Sequence, residues 1–81
     1  MRGQAQPQNL ALLEDRVLVS QGKEQIYGSQ LRQNQSSGKY EFYPIEDEPK
    51  VNIRRASVGL NSLEEYAKLF DIIYHLPQVK N

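Results

Sequence analysis

The chain has 81 residues, no cysteine, and ten basic against ten acidic side chains, for a formal net charge of zero. One domain is the ceiling at this length, and such a domain buries only about 60–65% of the surface its unfolded chain exposes. This argues against a deep catalytic cleft built by the chain alone, and it leaves no disulfide framework, no thiolate metal site and no bulk attraction to nucleic acid or anionic lipid.

Met1 to Gln8 is polar and glutamine-rich, with one glycine and one proline, and reads as a disordered lead-in over residues 1–8. It lacks the apolar stretch of a secretory signal, which favours a cytoplasmic protein. Asn9 to Ser20 reads as the first helix, with Asn9 as its N-cap. Leu10, Leu13 and Val17 recur at i, i+3 and i+7 and so share one face. Leu12, Leu18 and Val19 widen the apolar surface, which predicts packing against more than one element. Gly22 suits the stop.

Gln25 to Gln33 and Lys39 to Ile45 read as two strands joined by the polar turn that ends Ser36-Ser37-Gly38. The pair is a β-hairpin with Pro44 at an edge, and it needs helices to pack on. Glu46, Asp47 and Glu48 lead into a short helix from Pro49 to Ser57 that ends near Gly59. Ser62 and Glu65 have capping-box spacing before a last helix whose buried face is Leu63, Tyr66, Ala67, Phe70, Ile73 and Tyr74, with Pro77 as its end. The expected fold is α+β: helix, β-hairpin, short helix, and a C-terminal helix packed on one face of the hairpin. The domain spans 9–76 and the tail 77–81. No apolar run approaches the roughly 18 residues that span a membrane.

The most suggestive polar residues are Asp15 and Arg16, followed by Gln25, Tyr27 and Gln30. In a functional reading Asp15 is a base or acceptor and Arg16 grips an anion through two oxygens. In the plainer reading the two form a salt bridge that orients the helix over the hairpin. Gly28 within a strand marks a bulge, a close approach, or room for an aromatic ring. Arg54-Arg55, beside three acids, is not a basic patch and reads as solvated or paired within the chain. Tyr40, Phe42 and Tyr43 read as packing rather than a base-stacking platform. His75 stands alone and is a poor metal ligand or dyad member, and Glu46-Asp47-Glu48 lacks calcium-loop spacing. No metal, cofactor or nucleic-acid partner is expected.

The blocks Ala11-Leu12-Leu13-Glu14-Asp15-Arg16, Gly22-Lys23 and Gln25-Ile26-Tyr27-Gly28-Ser29-Gln30 resemble the C-terminal half of an uncharacterised bacterial domain family. That half carries a D-R, G-K, Q-x-Y-G-T/S-Q pattern. Tyr43 to Asp47, Val51, Arg54-Arg55, Val58 to Leu60 and Leu63 to Tyr66 resemble the rest of it, so the likeness covers about residues 10 to 70. The resemblance implies a longer protein with a helical N-terminal half carrying D-Q-x-x-R and Q-H-A-D-like motifs, neither of which occurs here. Three expectations follow. The first is an incomplete or non-catalytic module whose polar cluster is completed by a missing N-terminal helical segment or a second copy. The second is a ligand-binding or hydrolase-like site at Asp15 and Arg16 with Gln25, Tyr27 and Gln30. The third is an interaction domain that forms a homodimer through its first helix.

Overall fold

The computed structural model describes residues 7–77. The first helix, α1, runs Pro7–Ser20. Pro7 and Gln8 are already helical, so Asn9 lies inside the helix rather than at its N-cap. Of the expected 1–8 lead-in only Pro7 and Gln8 are described, and both are helical; residues 1–6 and all of the 77–81 tail except Pro77 lie outside the described residues. Gly22 ends α1 in the left-handed conformation at φ 75°. Its N–H donates to Val19 at 3.0 Å and that of Lys23 to Leu18 at 2.9 Å, which satisfies carbonyls of the last turn.

The hairpin is shorter than expected. β1 is Leu31–Gln33 and β2 is Tyr40–Phe42, antiparallel, with Leu31 opposite Phe42 and Gln33 opposite Tyr40. Residues 25–30 leave the ladder because four of their amides, those of Ile26, Tyr27, Ser29 and Gln30, bond to side chains instead. Gln25 alone pairs with the far segment, in a parallel bridge to Ile45. Its N–H donates to Pro44 at 3.0 Å, and its carbonyl accepts from Glu46 at 2.8 Å.

A 3-10 turn, Glu48–Lys50, leads into α2, Val51–Ser57, and α3 follows at Leu63–Lys68. Ser62 caps α3 by accepting from the Glu65 amide at 3.1 Å, as the capping-box spacing predicts. The expected long last helix stops at Lys68. Asp71 turns left-handed at φ 59°, and the two β-branched residues after it continue without helix, so His75 lies beyond any helix end. Leaving the helix lets two aromatics reach the hairpin. Phe70 meets Tyr40 edge-on at 5.7 Å, and Tyr74 meets Phe42 at 5.5 Å.

The core is Ile45, Val51 and Leu63, ringed by Phe42, Tyr66, Tyr74 and Leu76. It lies between the hairpin, α2 and α3. α1 contributes only Ala11 and Asp15 to the buried set. The stripe Leu10, Leu13 and Val17 therefore faces outward, at 55%, 55% and 45% exposure. The helix docks by the neighbouring face because Ala11 permits close approach and Asp15 has buried hydrogen bonds to make.

Gly28 sits at φ +72°, and a Cβ there would meet the side chains of Leu63 at 2.9 Å and Ile45 at 3.2 Å. Its neighbours are aliphatic, so the glycine serves a close approach and not room for an aromatic ring. Gly28→Ala combines left-handed strain with overpacking and is expected to destabilise by about 2–4 kcal/mol in urea unfolding. Burial raises the hydroxyl of Tyr74, which also donates to Glu48, and that of Tyr66 above the ordinary tyrosine value. In the unfolded chain both ionise near pH 10. The unfolded state then binds fewer protons than the folded one, so stability is full below that pH and falls as pH rises through it. Urea midpoints at pH 8 and pH 11 check this, and Tyr74→Phe is expected to flatten the fall.

Candidate functional site

Residues 25–30 form an irregular loop under α1, and three buried polar side chains hold it. Asp15 is fully buried. Its Oδ1 accepts from the amides of Ile26 at 2.8 Å and Tyr27 at 3.0 Å. Its Oδ2 accepts from the Ser29 amide at 2.9 Å and the Ser29 hydroxyl at 2.7 Å. A carboxylate offers about four acceptor sites, and all four are filled. Such a group has none left for a substrate proton.

Gln25 is equally buried. Its Nε2 donates to the carbonyls of Gln30 at 3.0 Å and Tyr43 at 2.9 Å, and its Oε1 accepts from the Gln30 amide at 2.8 Å. The amide side chain thus imitates a strand between the loop and the end of the hairpin.

From below, Arg55 of α2 donates to the carbonyl of Tyr27 at 2.7 Å and to that of Asn61 at 2.6 Å. Its guanidinium lies over the Tyr66 ring, 4.8 Å from the centroid, and Tyr66 donates its hydroxyl to the Ser29 carbonyl at 2.8 Å. Burial lowers the Arg55 pKa, opposed by the nearby charges of Tyr66 and Asp15. Arg54 donates Nε to the Ile26 carbonyl at 2.8 Å and also reaches the carbonyls of Glu46 and Asp47. Three of the loop's amides therefore point at a buried anion, and two of its carbonyls at cations.

The five residues singled out in the sequence separate into two sets. Asp15 and Gln25 are internal struts, and Tyr27 joins them through its backbone amide and carbonyl. Asp15 and Arg16 make no salt bridge, because adjacent positions on a helix point apart. Arg16 is exposed and lines an open groove of about 540 Å³ with Asn9, Leu12 and Leu13 of α1 and with Ser29, Gln30 and Tyr66. Gln30 reaches that groove with its side chain, which donates to the Ser29 hydroxyl at 3.1 Å. Sequence reasoning placed Ser29 near the cluster but missed Tyr66 and the buried role of Arg55. Ser29 lies inside the Tyr-Gly-Ser-Gln run that drew notice, but the contacts of Tyr66 and Arg55 cross about thirty residues and leave no local pattern.

Among the described residues, no group of three or more histidine, aspartate or glutamate side chains is placed to hold a metal ion, and no helix is long and apolar enough to cross a membrane. Asp15→Asn would put an amide donor against the donors of Ser29. Loss of about 2–4 kcal/mol of stability is expected, with the amide resonances of Ile26, Tyr27 and Ser29 shifting most.

No curated protein and no solved structure matches the chain. A family model does match, over residues 2–80, so the chain belongs to the family of unknown function DUF6624.

Proposed function

We propose that the protein is a non-catalytic interaction module that presents the outer face of α1 to an apolar partner. One observation carries this reading. Leu10, Leu13 and Val17 stand exposed in a row while the catalysis-competent side chains beneath them are consumed in holding the loop. A chain with a core of three large residues has little apolar surface to spare. Leaving such a stripe in water is uneconomical for a monomer, and contiguous exposed apolar surface marks interaction sites. The polar struts then serve to brace α1 so that its outer face is held in place. The lack of cysteine suits work in a reducing compartment such as the cytoplasm.

A second reading is favoured by the groove beside the stripe. Arg16 and Gln30 keep polar groups on its wall, so a small ligand with a carboxylate and an apolar body fits its chemistry. Asp15 and Gln25 hold the loop in that reading too, and take no part in contact.

The test is the triple variant Leu10→Ser, Leu13→Ser, Val17→Ser in dilute solution. Half-exposed residues contribute much less to stability than core ones, so its unfolding free energy is expected within about 1 kcal/mol of the parent's. The parent is expected to enhance the fluorescence of an apolar dye, and the variant is not. A loss above about 2 kcal/mol would mean the stripe packs within the chain, and the reading would fall.

A further inference from the structure

Glu14 and Arg16 identify what the outer face of α1 takes. Both are exposed, and neither has an ion partner among the described residues, where the ion pairs are Arg32–Glu41 and Lys68–Glu65. Lying two residues apart, they point about 200° away from each other around the helix, so they cannot pair within one copy. They flank the stripe of Leu10, Leu13 and Val17, the acid on one side and the base on the other.

A stripe flanked in this way is complementary to itself in one orientation. Place two α1 helices side by side and parallel, related by a two-fold axis along their length. Glu14 of each copy then stands on the flank where Arg16 of the other stands, offset by about 3 Å along the axis, a gap these long side chains span. Antiparallel pairing centred on the stripe sets Glu14 against Glu14 instead. The spacing Leu10, Leu13, Val17 is also the a, d, a spacing that two parallel helices share as a seam. Among the described residues nothing obstructs the approach, because Ala11 and Asp15, which face the protein, lie on the opposite side of α1. A net charge of zero removes collective repulsion between copies.

We infer that the chain pairs with a second copy of itself through α1, as a parallel two-fold dimer closed by two Glu14–Arg16 ion pairs. This inference rests on the reading of α1 as an interaction face and names its partner. The seam from Leu10 to Val17 is only about 11 Å long. The dimer is therefore weak, with a dissociation constant on the order of 0.1 mM. Arg16 also lines the groove, so pairing brings Glu14 of the second copy to the groove's rim and adds a carboxylate that one copy does not supply there.

Sedimentation equilibrium from micromolar to millimolar concentration tests this on the full chain. The mass is expected to rise from monomer to dimer. Glu14→Arg and Arg16→Glu alone are each expected to weaken the dimer on the order of ten-fold, and the double exchange to restore it. Lys50→Glu changes the net charge as much as Arg16→Glu does but lies on the 3-10 turn, so it is expected to leave the affinity unchanged. A chain that stays monomeric at millimolar concentration overturns the inference. So does a dimer indifferent to the exchanges, or one weakened equally by Lys50→Glu. The interaction-face reading fails separately, on the stability and dye binding of the serine variant.

Discussion

Asp15 and Arg55 are both buried, opposite in charge, and not in contact; what joins them is the backbone of residues 26–29. The carboxylate takes the amides of Ile26, Tyr27 and Ser29, and the guanidinium takes the carbonyl of Tyr27. Burying either ion alone would be strongly unfavourable. Burying both around a polarised run of peptide groups satisfies the ions and a loop that has no strand to pair with. Almost everything else in the fold is arranged by this. α1 is fastened through Asp15, α2 through Arg54 and Arg55, and α3 through the Tyr66 hydroxyl on Ser29.

The same constraint explains why the apolar core is small and lies to one side. Ile45, Val51 and Leu63 close around Gly28, whose missing side chain lets the loop lie directly on Leu63. A larger residue there would lift the loop from the core and away from Arg55. The aromatic ring pairs from Tyr40 to Tyr74 then seal the hairpin face with the segment after α3. α1 stands outside this arrangement, held mainly by the hydrogen bonds of Asp15, with Ala11 as its buried apolar contact. A helix fastened by its polar side has its leucines left over, and this gives the protein an outward apolar face.

Much of the architecture was legible from local rules. The α+β class, the order of elements, the Gly22 stop, the Ser62 cap and the hairpin turn all follow from residues within a few positions of one another. Asp15, Arg16, Gln25, Tyr27 and Gln30 were legible as a group worth attention. Their roles were not. An Asp beside an Arg reads the same whether the carboxylate faces solvent or a loop's amides, and only the docking angle of α1 decides that. The inward face of α1 was not legible for a related reason. Periodicity shows that Leu10, Leu13 and Val17 share a face but not which way the face points, and one buried carboxylate with four hydrogen bonds outweighs three leucine-sized contacts.

What the sequence determined by itself is what short-range sterics and hydrogen bonding control: the Gly22 stop of α1 and the Ser62 cap of α3, where the chain reverses, that no thiol chemistry is available, and that charge is balanced. What only the tertiary structure decided is which polar groups are spent and which are left. That Asp15, Gln25 and Arg55 brace a loop, that α3 ends at Lys68 so that Tyr74 can reach Phe42, and that Arg16 and the leucine stripe face outward all depend on contacts between residues far apart in the chain. Such contacts form cooperatively, each made possible by the others, so no single stretch of sequence carries their signature.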